Sequence, residues 1–397
     1  MRKLWIAAVL PFLVLGAVAA QTTQELAASS GETLTFELNS GGDIEVIGWD
    51  REGAAITTEI TGRDADKLQV RVERTADGIK VTTPQQNGRG WRANLKVRAQ
   101  VPRRFDVKIS TMGGDVKLEK LEGSFSGQTM GGDMTFRQLT GNARVSTMGG
   151  DIRVSDSELD GKVSTMGGDV LFEDLTGNLD GSTMGGDIIQ RNVRRTGGAG
   201  GKAVEVKSHG GDVEVDTAPA GANVSTMGGD IHVRSVAEFL KATTMGGDVI
   251  VQEASGDVKI TTMGGDIEVQ SFDGQIEATT MGGDVELNVV GTDAAGGHDI
   301  ELNSMSGNLT LALPSNFSGR FEIELVNLRK HENKARIDSD FALDIDEPAE
   351  WTSGNKRTNG RRYGGDYKII RASGSVGGGS HLVKLKTING VIRIERN

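Results

Sequence analysis

The central part of the chain repeats one pattern of apolar and polar positions with a period of 18 residues. The pentapeptide Thr-Met-Gly-Gly-Asp marks the pattern and occurs nine times between Thr111 and Asp284. With its Asp numbered zero, position +1 is always apolar, position +3 is apolar in every copy but one, and position +2 varies freely. Side chains of a β-strand alternate between its two faces. The pattern therefore predicts a short strand with one buried and one exposed face.

A second strand is predicted later in each repeat. Apolar residues such as Val224, Leu240 and Ile276 occupy positions +10 and +12, after a turn that glycine commonly marks at position +8. Two short strands and two tight turns would make one coil that stacks only on its neighbours. We expect an all-β fold, a single-stranded parallel β-solenoid (β-helix) with about ten 18-residue coils, capped by irregular β-rich ends.

Departures from the period outline the domain organisation. We expect a signal peptide at residues 1–20, an N-terminal β-rich cap at 21–100, the repeat array at 101–313 and a C-terminal β-rich cap at 314–397. The step lengthens once, to 25 residues between Asp187 and Asp212, which places an insertion at 190–208. Residues 40–46 and 387–391 are divergent copies of the repeat within the two caps.

The first residues have the features of a secretory leader. Arg2 and Lys3 precede an apolar stretch from Leu4 to Val18, and small residues up to Ala20 suit cleavage near Gln21. An uncut membrane anchor is the alternative, but the stretch is short for a span of about 20 residues. We expect an exported protein of the periplasm, cell surface or medium, with no transmembrane segment in the mature chain.

Composition and charge narrow the possible chemistry. The 397 residues include 57 Gly, no Cys and only 4% aromatics. We therefore expect a thin core of small aliphatic residues without disulfide bonds. The formal net charge of −11 opposes binding of a polyanion through overall charge, so nucleic acid is not an expected partner.

The most specific candidate site is the column of aspartates that ends the pentapeptides. In register, neighbouring carboxylates would lie about 4.8 Å apart and repel by roughly 0.9 kcal/mol even in water. We expect backbone N–H groups of each turn to stabilise them, as in Asx turns, without metal or cofactor. The alternative is a Ca²⁺ ladder, but one Asp per coil supplies few of the six to eight oxygens that Ca²⁺ takes. The column comprises Asp115, Asp133, Asp151, Asp169, Asp187, Asp212, Asp230, Asp248, Asp266 and Asp284.

Methionine and threonine form two further columns beside the aspartates. An exposed methionine stripe would offer an apolar surface to a partner, whereas a Gly-Gly turn can redirect the side chain, and Met fills corners well. We expect a buried corner. The Thr of each pentapeptide and the residue before it face opposite ways, so a flat ice-binding array of Thr is not expected. The methionine column comprises Met112, Met130, Met148, Met166, Met184, Met227, Met245, Met263 and Met281.

The insertion is locally basic, because Arg191, Arg194, Arg195 and Lys202 lie beside four glycines. A flexible loop that bulges from one coil is the simpler interpretation. The alternative is a binding loop for an acidic partner.

Catalysis has little support in the sequence. The histidines at 209, 232, 298, 331 and 381 are scattered and form no metal-ligand spacing. No Ser-His-Asp set and no isolated carboxylate pair departs from the repeat. A polysaccharide-acting enzyme on a β-helix is the alternative, but such an enzyme usually needs irregular columns and exposed aromatics, which the array has few of.

The motifs, in their order along the chain, resemble one known family. They are the leader, Val101-Pro102-Arg103, the Thr-x-Gly-Gly-Asp-Val coils, the exit from Gly307 to Pro314, and the ending from Thr387 to Ile394. The family is a bacterial exported β-strand-repeat domain of unknown function, labelled "putative adhesin" and related to toastrack-type envelope domains. The resemblance implies a β-solenoid at the envelope that acts in surface interaction or envelope-stress assemblies. It supplies no catalytic residues.

The functional expectation is a non-enzymatic exported scaffold of the envelope or surface. Its sheet faces would bind an envelope protein or polysaccharide. A Ca²⁺-stabilised structural solenoid is the second non-enzymatic possibility.

Overall fold

The computed structural model describes residues 20–84, 92–197, 201–290, 299–329, 335–358, 361–378 and 380–397. Within them, all regular structure is β apart from short 3₁₀ segments at Ala65–Lys67 and at Arg329, so the expected all-β class is confirmed. No helix in these ranges is long and apolar enough to cross a membrane. The expected signal peptide lies outside the described residues, apart from its last residue, Ala20.

The strands of the N-terminal part do not stack in sequence order. They are β1 (Ala20–Leu26), β2 (Thr33–Leu38), β3 (Asp43–Trp49), β4 (Ala54–Gly62), β5 (Arg71–Thr75), β6 (Gly78–Thr83) and β7 (Ala93–Pro102). On one side β2 and β3 pair in parallel with β6 and β7, which follow them in sequence. Strands β1, β4 and β5 add antiparallel pairs, β1 to β4, β4 to β7 and β5 to β6.

The repeat array supplies the next strands, which pair in parallel with their equivalents one repeat away. Val116 pairs with Met134, and Met134 with Ile152. The second strand follows the same rule, since Phe125 pairs with Ala143. We call one repeat, with its two strands and two turns, a coil. The strands are β8 (Asp106–Thr111), β9 (Val116–Glu119), β10 (Glu122–Thr129), β11 (Met134–Arg137), β12 (Thr140–Thr147), β13 (Ile152–Ser164), β14 (Val170–Thr176), β15 (Leu179–Ser182), β16 (Ile188–Arg194), β17 (Val204–Lys207), β18 (Val213–Ala218), β19 (Ala222–Ser225), β20 (Ile231–Val236), β21 (Phe239–Thr243), β22 (Val249–Thr261), β23 (Ile267–Thr279), β24 (Val285–Val289), β25 (Ile300–Asn303) and β26 (Leu309–Leu313).

The C-terminal part again inserts a late segment into the stack. Its strands are β27 (Gly319–Leu328), β28 (Arg336–Ser339), β29 (Asp344–Asp346), β30 (Thr352–Thr358), β31 (Arg361–Val376), β32 (His381–Ile388) and β33 (Val391–Arg396). The last two pair in parallel with β25 and β26 of the array on one side. On the other side they pair with β27 and β28, which precede them in sequence. Strand β31 closes this end by antiparallel pairing with β27, β29 and β30.

Both divergent repeat copies occupy true repeat positions. Strand β3 continues the ladder of the array, because Ile44 pairs with Val116. At the other end, the Thr387 hydroxyl donates to the carbonyl oxygen of Gly307 at 2.6 Å. The expectation that these segments are worn repeats is therefore confirmed.

The core lies between the two strands of each coil. Positions +1 and +3 point into it, with Phe136, Phe172 and Leu118 fully buried. Second-strand residues such as Phe125 and Val224 meet them from the other side. The buried apolar residues form one continuous cluster from Ala28 to Ile394. A constant interior thus leaves the outward positions and the corners as the places where function can reside.

Candidate functional site

The threonine of each pentapeptide joins neighbouring coils. Thr165 is buried, and its Oγ1 donates to the carbonyl oxygen of Gly150 in the preceding coil at 2.8 Å. The same oxygen accepts the N–H of Gly168 in its own coil at 3.2 Å. This pair of bonds recurs at Thr147, Thr183, Thr226, Thr244, Thr262 and Thr280. The sequence analysis expected this Thr and the residue before it to face opposite ways, but it assigned neither the inward direction nor the structural role of the Thr.

The aspartate column also links coils. Oδ1 of Asp115 accepts the N–H of Asp133 at 3.0 Å, and Oδ1 of Asp133 accepts that of Asp151 at 2.9 Å. The series continues to Asp284, whose Oδ1 accepts the N–H of Asn308 at 2.7 Å. The carboxylates therefore accept backbone N–H groups as expected, but the expected donor within the same turn is wrong. In a parallel stack the strand N–H groups point to neighbouring strands, so the donor comes from the next coil.

The chemistry at the aspartate column is therefore that of a hydrogen-bond acceptor. Within the described residues, no group of three or more His, Cys, Asp or Glu side chains is placed to hold a metal ion. Ca²⁺ binding at this column is a hypothesis for the experiments below.

The two glycines of the corner have different environments. A Cβ on Gly150 would lie 2.1 Å from the carbonyl oxygen of Gly132 in the preceding coil, which is closer than any allowed contact. A Cβ on Gly149 would meet nothing closer than the Cα of Gly131, at 3.7 Å. Close stacking therefore requires the second glycine of the pair, whereas the first has room for a side chain.

The methionine column is exposed, so the expected buried corner is wrong. Eight of its nine members have 46–58% of their surface exposed, and Met281 is partly buried. The alternation of the second strand continues into the corner, because Thr165 is buried and Met166 is exposed. The Gly-Gly turn begins only after the methionine and therefore does not redirect its side chain.

The outward face of the first strand changes character along the stack. Its +2 position is basic at Lys117 and Arg153, apolar at Leu171 and Ile189, and acidic at Glu286. None of these side chains is buried, whereas the neighbouring +1 and +3 positions are. The outward surface can therefore vary without disturbing the core.

A cleft of about 380 Å³ opens on this face beside the insertion. We call it the outer cleft; its lining includes Ile189, Glu214, His232, Arg234 and Ile250. The two isoleucines lie among charged groups on a surface that faces solvent. In the ladder Ile189 pairs with Glu214 and His232 pairs with Ile250, so the two isoleucines flank two polar side chains. Binding sites typically combine apolar area with a few polar or charged groups in this way. Sequence reasoning missed this site, although the apolar residues Leu171, Ile189 and Ile250 at the outward +2 position were a signal.

The Asp216–Arg234 ion pair at the outer cleft is held in its charged form. The hydrogen bond from the Arg234 guanidinium lowers the pKa of the Asp216 carboxyl, and the same bond raises the pKa of Arg234. The pKa is also lowered at Glu32, Asp64, Glu119 and Asp366. Among the described carboxyl groups, every resolved pKa shift is thus downward. A carboxylic acid that donates a proton near neutral pH would need an upward shift.

The expectation that the basic residues of the insertion are exposed is wrong for Arg195. Its side chain is 1% exposed, and Nη1 pairs with Oδ1 of Asp180 at 2.9 Å. Its Nε and Nη2 are buried without a hydrogen-bond partner in the described structure, as are both amide atoms of Gln190. Arg191, Arg194 and Lys202 are exposed, while residues 198–200 lie outside the described residues. Arg195 therefore belongs to the interior and is unavailable to an acidic partner.

The histidines do not converge on one site. His209 is exposed at a corner, and His232 lines the outer cleft. His381 is buried, and its ring centroid lies 6.0 Å from that of Phe317. His298 and His331 lie outside the described residues.

The sequence profile of the Toastrack DUF4097 family matches residues 24–200 and again residues 198–332. The chain belongs to the Toastrack DUF4097 family. This assignment confirms the resemblance to a toastrack-like repeat family of unknown function. No curated protein sequence matches this Toastrack DUF4097 protein.

Solved structures similar to this DUF4097 protein are distant. A "putative adhesin" from Parabacteroides distasonis is 14% identical with a TM-score of 0.33, and the match covers 63% of this chain and 97% of that one. A "putative lipid binding protein" from the same species is 14% identical with a TM-score of 0.29, over 71% and 96% of the two chains. A "putative adhesin" from Bacteroides fragilis is 14% identical with a TM-score of 0.27, over 64% and 97%. TM-scores this low carry no argument, so the classification rests on the family match.

Proposed function

We propose that this protein is a non-enzymatic, exported scaffold of the bacterial envelope or cell surface. In this proposal its coils wind as one single-stranded parallel β-solenoid of about ten 18-residue coils, with the 21–100 and 314–397 regions as caps. The outward faces bind a partner, either an envelope protein or a polysaccharide. Membership of the Toastrack DUF4097 family is compatible with this role.

The observation that carries the proposal is the separation of constant and variable positions within each coil. Apolar residues at +1 and +3 build the core, while Thr, Gly and Asp at the corner hydrogen-bond or pack between coils. The outward +2 position is free of these constraints and varies among basic, apolar and acidic residues along the stack. A protein whose core and corner residues repeat while its outward residues vary is suited to recognising an extended partner.

The outer cleft is the most specific place for such a partner. Ile189 and Ile250 supply apolar surface at its two sides. Glu214 and His232 lie between them, and Arg234 adds a positive charge. Because these side chains project from paired strands, their spacing is fixed by the ladder between β16, β18, β20 and β22. A rigid site of this kind loses little entropy when it binds.

Capture from native envelope fractions with the purified protein tests the proposal. The informative variant carries Ile189→Asp and Ile250→Asp, and the matched control is Lys162→Asp on the outward side of a second strand. We expect wild type and control to retain the same partner and the double variant to lose it, with unchanged melting temperatures. Equal capture by all three proteins, or turnover of envelope glycan by the purified protein, would contradict the proposal.

A further inference from the structure

The exposed methionines form a column in which each coil contributes one thioether. The corner backbones of adjacent coils are in direct contact, since the N–H of Gly246 donates to the carbonyl oxygen of Met227 and the N–H of Gly264 to that of Met245, both at 3.1 Å. Equivalent side chains on stacked strands are therefore about 4.8 Å apart at their base. The backbone places many sulfur atoms in a row on one edge of the protein.

At the N-terminal end of the column, three methionines from successive coils share one cleft. Met112, Met130 and Met148 line it together with Leu38 and Asn39, and its volume is about 220 Å³. The cleft brings thioethers of three coils to one hollow that is open to solvent. A small ligand in this cleft could contact methionine side chains from three coils.

The residue types in the column do not fit a plain apolar surface. A surface that required only apolarity would accept Val, Ile and Leu, as the buried +1 and +3 positions do. Instead, the column holds methionine at every coil from Met112 to Met305 except one, where His209 takes its place. Methionine and histidine differ in polarity and shape, but both are ligands of copper ions. Metal coordination accounts for both residue types in this column.

We propose that the methionine column binds a soft monovalent metal ion, Cu(I), through thioether sulfurs of adjacent coils, with His209 as an imidazole ligand in the same row. Metal–sulfur bonds of about 2.3 Å allow two sulfurs on one ion to be up to about 4.6 Å apart. This limit is close to the spacing of about 4.8 Å between strands, and the flexible methionine side chains can make up the small difference. Soft thioether ligands select Cu(I) over hard ions such as Ca²⁺.

The nearby charge also favours a cation. Each methionine from Met112 to Met281 is three residues before an aspartate of the same corner, and the chain has a formal net charge of −11. The site does not depend on the proposed partner surface, because the outer cleft is on the strand that follows the corner. Either proposal can fail without the other.

The test uses Ag(I) as a redox-inert probe and Cu(I) under anaerobic conditions with a chromophoric competitor. Native mass spectrometry of the purified protein gives the number of Ag(I) ions per chain. Methyl-¹³C NMR of methionine shows which side chains respond. We expect several ions per chain and shifts of the column methyl groups, with no shift at Met134, which is fully buried in the core.

The matched variants replace exposed methionines by an apolar residue of similar size. Met130→Leu, Met148→Leu, Met166→Leu and Met184→Leu combined should remove about half or more of the bound Ag(I) while far-ultraviolet circular dichroism stays unchanged. Met134→Leu should leave the stoichiometry as in wild type. No uptake by wild type, or equal uptake by the four-site variant, would overturn the proposal and leave the column as an apolar surface.

Discussion

The backbone N–H of Asp266 donates to Oδ1 of Asp248 at 2.7 Å. The contact joins two coils and directs an N–H dipole at the carboxylate. Without it, the carboxylate would interact mainly with the equivalent carboxylates of the adjacent coils, at about 4.8 Å. The roughly 0.9 kcal/mol of repulsion expected for each neighbouring pair in water is comparable with the ~1 kcal/mol that a hydrogen bond contributes. A column of like charges can therefore form within the hydrogen-bonded frame without a counter-ion.

The corner threonine should be replaceable by serine but not by valine. Thr165→Val removes the hydroxyl that serves Gly150 and Gly168, and we expect a loss of about 1–3 kcal/mol in the free energy of unfolding. Thr165→Ser keeps the hydroxyl, as the natural corners at Ser208 and Ser304 do, and should cost less than half as much. Chemical denaturation measures both, and equal losses would argue against the hydrogen bonds.

The two corner glycines should respond oppositely to alanine. Gly150→Ala would place its Cβ 2.1 Å from the carbonyl oxygen of Gly132, so the coils must separate locally. We expect a loss on the order of 3 kcal/mol. Gly149→Ala has open space, with 3.7 Å to the nearest atom, and should change the stability by less than about 0.5 kcal/mol. Similar melting temperatures for the two variants would contradict the packing of the stack.

The break in the array should be a site where stability can be gained. Gln190 takes the apolar +3 position between Phe172 and Val215, and its buried amide has no hydrogen-bond partner in the described structure. Gln190→Val restores the apolar column and should raise the free energy of unfolding by about 1–3 kcal/mol. Val233→Ile, in the same column, is the control for added bulk without a polar change. A lower melting temperature for Gln190→Val would show that the amide has a role in the core.

The Asp216–Arg234 ion pair should make stability depend on pH on the acid side. The pKa of Asp216 is lowered in the folded protein by its hydrogen bond with Arg234. Its contribution is therefore present above the usual pKa of about 3.9 and is lost as pH falls through the lowered folded value. Between pH 5 and pH 2 the wild-type melting temperature should fall more than that of Asp216→Asn. If the melting temperatures of the two proteins fall equally with pH, the ion pair does not contribute to stability.

The interior of the coil could be predicted because local alternation determines it. Val116 and Leu118 point inward and Lys117 points outward, as the sequence pattern indicated. Thr165 and the residue before it also face opposite ways. The prediction for Met166 was wrong because we expected the Gly-Gly turn to redirect the methionine side chain inward. The turn begins only after the methionine, so the strand alternation still determines its direction.

The order of stacking at the two ends could not be predicted from the sequence. Strand β3 contacts β9 across more than 60 residues, and β33 contacts β26 across a similar distance along the chain. A period of 18 residues indicates which strands pair within the array but contains no information about a later segment that enters the stack. The outer cleft was missed for a related reason, since it combines outward residues from several coils.

The aspartate column offers the most direct test of the central claim, that the pentapeptide is a structural corner in which the carboxylate is a hydrogen-bond acceptor. Asn308 already fills this role, because its Oδ1 accepts the N–H of Val391 at 2.9 Å. We therefore expect thermal melting of Asp248→Asn to match wild type within about 0.5 kcal/mol, Asp248→Ala to lose about 1 kcal/mol or more, and EDTA to change none of the three. If Asp248→Asn instead loses as much as Asp248→Ala, and EDTA destabilises the wild type, the column is a cation site and the account is wrong.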